Sequence, residues 1–278
     1  MAKGRKKDWV WIARGLSQFG FAAYILFAAA RNATSAVETG STHSLCPFGA
    51  VESLWSLVVG GKYLPKIHSS SVVLSVGLLV GALVVGGAFC GWICPLGALG
   101  DLLAWVRRKL RIRELTVPPM PDAVLRYGRY LVLAGILYAT MTTATLWFAS
   151  YDPYYVIFRL GWIFEPDLAT NWPGYLIALG VIGTSVLIPR VWCRYLCPLG
   201  GLLSLVQRIS PFKVRRDAVV CINCKRCDKV CPARLHISIG RAVTHDCSMC
   251  LRCVSDCPAP GALDATLRGY EDKAAKEA

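Results

Sequence analysis

The 278-residue sequence predicts a membrane all-α domain, a four-helix transmembrane bundle, followed by a small C-terminal α+β domain organised by cysteines. Three observations predict it. Hydrophobic residues make up 55% of the chain and charged residues only 17%, where a soluble domain carries about 25% charge. Four apolar stretches approach the length that crosses a bilayer core, about 20 residues for about 30 Å. Twelve of the 13 cysteines fall in four tight clusters after residue 89. Such spacing belongs to metal ligands and not to a secreted disulfide framework.

The first span covers residues 10–30 and carries Arg14 near its start, where a long side chain can snorkel to the interface. The second, 72–89, has no charge; the third covers about 130–148 and the fourth about 175–191. Trp9, Trp11, Trp147, Trp172 and Trp192 flank them as an interfacial aromatic belt does. A signal peptide is the competing assignment for the first span. The flank "MAKGRKKDW" reads instead as a retained cytoplasmic segment, with no strong small-residue cleavage site after it. With the N-terminus inside, 27 of the 31 Lys and Arg residues fall on the inner side, leaving Arg31, Lys62, Lys66 and Arg159 outside. The positive-inside rule therefore puts both termini in the cytoplasm, in a multi-pass protein of a bacterial inner (cytoplasmic) membrane. The net charge of +14 is read as orientation in the membrane, and no nucleic acid is expected as a partner.

The segment 1–210 is the expected four-span domain, and 211–278 a polar, basic cytoplasmic tail. The tail holds "CINCKRCDKVCP" (221–232) and "CSMCLRCVSDCP" (247–258). Each reads C-x2-C-x2-C-x3-C-P, the spacing of a bacterial ferredoxin with two 4Fe–4S clusters. Three thiolates on one tight loop cap three irons, and the fourth cysteine of each run serves the other cluster. Cluster one is then held by Cys221, Cys224, Cys227 and Cys257, and cluster two by Cys247, Cys250, Cys253 and Cys231. Two zinc sites are the alternative, but zinc ribbons use paired C-x2-C knuckles and not complete runs ending in proline. Disulfides do not suit a reducing cytoplasm. Lys225, Arg226, Lys229, Arg234, Arg241 and Arg252 surround the motifs. They form either a solvated face near anionic lipid or a docking surface for an acidic redox partner.

The other two cysteine clusters are copies of each other. "CGWICPLGALGDLL" (90–103) recurs as "CRYLCPLGGLLSLV" (193–206), each at the cytoplasmic end of a span. Cys90 and Cys94 share a helix face, as do Cys193 and Cys197. Pro95 and Pro198 turn the chain out of helix at the residue before them. The segment after each proline looks amphipathic and suited to the inner membrane surface. Neighbouring spans bring the four thiols to one depth, where they make a third cluster or metal site, a redox thiol set, or a structural seat for the tail. A weaker echo, "LCPFGAVESL" (45–54), puts Cys46 outside, near His43 and His68. It reads as a helix start, a relic of the pattern, or part of a quinone or partner site. The aromatic segment 151–167 is an expected interfacial loop and a candidate platform for quinol. No GxGxxG, P-loop or acid/base pair is present, which excludes nucleotide-binding and stand-alone hydrolase or transferase chemistry.

The basic N-terminus, four spans, "FCGWICPLGALGDLLAWVRR" and the two ferredoxin runs together resemble the NapH/MauN group of membrane-bound ferredoxin-type proteins, from about residue 3 to 267. The membrane half is also similar to NosR and to the RdxA/CcoG type of oxidase assembly factor. The chain shows neither the long flavin-bearing N-terminal region of the first nor the C-terminal extension of the second. The resemblance implies a quinol dehydrogenase or electron-transfer subunit. It would relay electrons between the quinol pool and a periplasmic reductase or dehydrogenase system, such as nitrate reduction or methylamine utilisation. The implied redox partner is an extracytoplasmic ferredoxin or multihaem cytochrome. The alternative is an assembly factor that delivers electrons to a metal centre or thiol of a respiratory enzyme.

Overall fold

The computed structural model describes residues 2–34, 47–60, 69–143, 148, 151–158, 168–240, 242–243 and 245–267. His43, Cys46, His68, Trp147, Arg241 and the whole 159–167 stretch lie outside them. The described chain is mostly helical, with a two-stranded sheet near its C-terminus.

The first half contains α1 (Ala2–Thr34), α2 (Pro47–Gly60), α3 (Ser69–Val85), α4 (Ala88–Trp92) and α5 (Pro95–Lys109). The second contains α6 (Pro119–Thr143), α7 (Pro153–Phe158), α8 (Leu168–Leu187), a π-helical turn (Trp192–Leu196) and α9 (Pro198–Gln207). Five of these helices begin on a proline, whose fixed φ and missing N–H suit a first helical turn. The residues before two of those prolines, Cys94 and Cys197, are extended at ψ 120° and 114°, as the steric restriction before proline requires.

The halves are built alike. In the first, α1 packs on α5 and α2 on α3; in the second, α6 packs on α9 and α7 on α8. They also cross over: α3 meets α9 as α8 meets α5, and α2 meets α6 as α7 meets α1. One core joins Phe48 and Val51 of α2, Leu78 and Ala82 of α3, Leu133 and Ile136 of α6, and Leu199 and Leu203 of α9. A smaller one joins Ile25 of α1 to Tyr154 and Phe158 of α7, against Leu96. Around the outside, Phe19, Tyr24, Val73, Val80, Leu131, Tyr138, Leu176 and Leu179 are each more than half exposed.

The helices depart from the four expected spans in length. Among the described residues, Trp9–Ala28 is the stretch long and apolar enough to cross a membrane. Ser75–Val85 and Trp172–Leu187 are apolar but shorter. α3 has 17 residues, about 25 Å at the helical rise. It stops at Gly86, whose φ of +68° leaves the helical path. α6 starts earlier than expected and spends its first turns on Asp122, Arg126 and Arg129. α2 and α7, which periodicity did not predict, pack against the longer helices, with Trp55 and Val59 of α2 left exposed.

Beyond Ser210, β1 (Phe212–Arg216) pairs antiparallel with β2 (Leu263–Leu267), Phe212 opposite Leu267. The short helices α10 (Arg226–Val230) and α11 (Arg252–Ser255) lie between them in sequence and pack on each other. Val214, Ile237, Met249, Cys253 and Leu263 form the core, with Cys227, Cys231, Cys247 and Cys257 packed against it. Thiols supply much of this core, as expected for a domain too small to bury much apolar surface.

Candidate iron–sulfur sites

The two C-terminal loops have the same backbone. Asn223 and Lys225 in the first have φ of 56° and 53°, and Met249 and Leu251 in the second 44° and 55°. These are the third and fifth positions of each seven-residue run, and none is glycine. A left-handed L-residue costs about 1–2 kcal/mol, so each loop holds a conformation that something else must stabilise. Alternating right- and left-handed residues turn successive N–H groups into one concavity that favours an anion. A 4Fe–4S core with four thiolates is such an anion, and donor set and loop both fit it.

The structure brings Cys231 within electrostatic reach of Cys247, Cys250 and Cys253. This is the crossed grouping expected for cluster two. Burial pushes the Cys247 thiol up to about 12. Cys227 is raised by burial, and by the neighbouring Asp228 carboxylate, to about 11. Cys224 is exposed, and the Cys221 thiol is held below the usual range by the Asn223 N–H and the Arg216 guanidinium. The loop of Cys221, Cys224 and Cys227 therefore faces solvent, and the loop of Cys247, Cys250 and Cys253 faces inward.

Cys90, Cys94, Cys193 and Cys197 line one cavity of about 80 Å³, together with Arg129, Arg190 and Cys247. Cys197 lies within electrostatic reach of the other three thiols, and Cys94 of Cys193. Burial pushes Cys94 up to about 12 and raises Cys90, Cys193 and Cys197 as well. Free thiols so placed stay protonated, whereas thiol–disulfide chemistry needs the thiolate. Among the described residues no group of three or more His, Cys, Asp or Glu is spaced for a single metal ion. A cubane cluster gives each thiolate its own iron, so thiols set around a cavity suit it better than thiols converging on a point.

The inward loop sits directly on the first repeat. A Cβ on Gly91 would come 2.1 Å from the Ser248 carbonyl oxygen, and one on Gly87 2.4 Å from that of Cys247. Only glycine allows this approach. The Trp92 indole N–H donates to the Met249 carbonyl at 2.9 Å, and the Cys247 N–H donates to Gln207 Oε1 at 3.1 Å. Two carboxylates fasten the contact. Asp101 accepts from Arg14 and from Arg190 at 2.9 Å, with Arg252 at 3.5 Å. Asp246 pairs with Arg129 and with Arg126 at 3.0 Å, and accepts from Ser204 at 2.6 Å. Burial works against both charges, but the guanidiniums outweigh it and hold both carboxyls below the usual range.

Several of these residues carry roles the sequence did not suggest. Arg14 does not snorkel: it is 3% exposed and donates to the Gly91 carbonyl at 2.8 Å as well as to Asp101. Arg252 is partly spent on Asp101, Arg234 on Glu114 and Arg226 on Asp256, so the basic surface around the motifs is only partly free. Asp101 and Ser204 occupy the same place, eleven residues after the first cysteine of each repeat. That shared offset is the signal that marks them.

A family described as a 4Fe-4S binding domain matches residues 67–113 and again 170–217, one copy on each repeat. A 4Fe-4S dicluster domain matches 213–258. The chain is 33% identical over 245 residues to YccM of Escherichia coli strain K12, covering 86% of this chain and 67% of that one. It is 29% identical to the ferredoxin-type protein NapH of Haemophilus influenzae, over 61% of this chain and 58% of that one. It is 32% identical to the methylamine utilization ferredoxin-type protein MauN of Methylorubrum extorquens, over 60% of this chain and 58% of that one. The chain thus spans less than two thirds of both. No solved structure matches it significantly. The two four-cysteine runs, the duplicated C-x3-C-P turns and these relatives lead to one assignment: the chain belongs to the NapH/MauN-type family of 4Fe–4S ferredoxin proteins and is an electron-transfer iron–sulfur protein.

Proposed function

We propose that the chain is a four-span subunit of the inner membrane that relays electrons between the quinol pool and a protein redox partner. In this reading residues 1–210 form the membrane domain and 211–278 the cytoplasmic domain, with both termini inside. The belt of exposed apolar side chains on α1, α3, α6 and α8 supports the membrane domain. The bias of Lys and Arg toward one side supports the orientation. α2 and α7 are then re-entrant: each buries one face against other helices (Phe48, Val51 and Glu52 of α2, Tyr154 and Phe158 of α7), and short helices at membrane depth are tolerated where protein supports them.

Cys221, Cys224, Cys227 and Cys257 hold the first cluster, and Cys247, Cys250, Cys253 and Cys231 the second. Cys90, Cys94, Cys193 and Cys197 hold a third. When bound, such clusters carry single electrons at potentials set by charge, hydrogen bonding and burial. The observation that carries the proposal is that Cys247 lines the cavity of the four repeat cysteines while its neighbours rest on Gly87 and Gly91. Arg129 and Arg190 at that cavity offset thiolate charge. The solvent-facing loop at Cys224 is the end open to a soluble redox partner. The test is anaerobic protein in liposomes with reduced quinone: the iron–sulfur absorbance bleaches on quinol addition. Clusters that bleach with dithionite but never with quinol, with or without membrane extract, contradict the proposal.

A further inference from the structure

The two halves of the helical region repeat each other, and at one buried place they differ in kind. Arg14 of α1 and Arg129 of α6 set the register, since each reaches the residue eleven places after the first cysteine of a repeat, Asp101 and Ser204. Eleven residues beyond the arginines lie Ile25 and Thr140. Pro47 opens α2 and Pro153 opens α7; five residues beyond them lie Glu52 and Phe158. At one crossover between the halves, α1 with α7, Ile25 packs with Phe158. At the equivalent crossover, α6 with α2, Thr140 is hydrogen-bonded to Glu52. The same packing position holds an apolar pair at one crossover and an acid with a hydroxyl at the other, so the architecture does not require an acid there.

Glu52 is 1% exposed and Thr140 fully buried. Among the described residues no cation pairs with Glu52, and the one charged group that acts on it is Asp152, which has its own sign. α3 and α9 contain no Asp, Glu, His, Lys or Arg. The Thr140 hydroxyl donates to Glu52 Oε1 and also lies 2.9 Å from the carbonyl of Ile136, four residues back. Burying a carboxylate with no cation beside it is costly, so burial favours the neutral carboxyl.

We propose that Glu52 is a proton-relay acid, neutral at rest, that serves quinol oxidation in the helical domain; this rests on the quinol reading above. The Glu52 O–H bond breaks as its proton passes to solvent water at the end of the bundle away from the cysteine motifs, leaving hydronium and the Glu52 carboxylate. A quinol O–H bond then breaks and the Glu52 O–H bond re-forms. Two such transfers accompany the two electrons that the quinol gives to the iron–sulfur centres, leaving quinone.

The test uses the anaerobic holoprotein in liposomes and two variants. Glu52→Gln removes a protonated-carboxyl C=O stretch from the infrared spectrum. Glu52→Phe with Thr140→Ile rebuilds the apolar pair of the equivalent crossover. It keeps the iron content and the bleaching by dithionite, loses the pH dependence of quinol-driven bleaching, and slows that bleaching by about a hundredfold. A double variant as fast as wild type across the pH range, or an infrared spectrum that Glu52→Gln leaves unchanged, overturns the relay. A wild-type protein that quinol does not reduce overturns the quinol reading, and the relay with it.

Discussion

Asp101→Leu is expected to cost about 3–5 kcal/mol of stability, the range for removing one partner of a buried ion pair. Three guanidiniums converge on this carboxylate from α1, from the turn before the second repeat and from the cysteine-rich domain. Arg14 and Arg190 are 3% and 6% exposed, so neither can turn to water when the carboxylate is gone. The loss is read from anaerobic denaturant unfolding followed by cluster absorbance. A loss under about 1 kcal/mol, the level of a surface pair, would mean that Asp101 does not bind the two domains together.

Gly91→Val acts on the same interface by shape. Its Cβ would sit 2.1 Å from a backbone oxygen of the loop above, and backbone cannot rotate away as a flexible side chain can. Overpacking of this kind costs about 1–3 kcal/mol, so the docking equilibrium constant falls about fivefold to about 140-fold at 1.4 kcal/mol per factor of ten. Hydrogen exchange across 245–253 should rise accordingly, and quinol-driven bleaching should slow while dithionite still reduces every cluster. Gly135→Ala, where an added Cβ meets nothing within 4 Å, is the control and should change neither. Unchanged exchange in Gly91→Val would show that the loop does not rest on this helix.

Cysteine spacing carried the C-terminal domain in advance, because three ligands on one tight loop leave little choice of geometry. The duplicated C-x3-C-P turns were equally legible, since Pro95 and Pro198 force an extended residue before them. The short helices were legible only in part. α2 begins at Pro47, inside the 45–54 stretch read as a helix start, but its place against α3 and α6 was not foreseen; α7 has six residues, too few for a periodic pattern. Arg14 was misjudged because a basic residue near a span end has two stable fates, water or a buried partner. Its partner Asp101 lies 87 residues away, beyond any local pattern. Glu52 was invisible for the same reason. Its meaning comes from the structural match with Phe158, which sequence similarity between the halves is too faint to reveal.

The central claim is that the four repeat cysteines hold a third cluster beside the two of the C-terminal domain. Iron and acid-labile sulfide per chain in protein purified anaerobically, with EPR after reduction, tests it most directly. The account predicts about twelve irons, falling to about eight in a Cys94→Ser, Cys197→Ser variant whose C-terminal signals persist. About eight irons in the wild-type protein, unchanged in that variant, would contradict it and leave the repeat as a seat of protonated thiols.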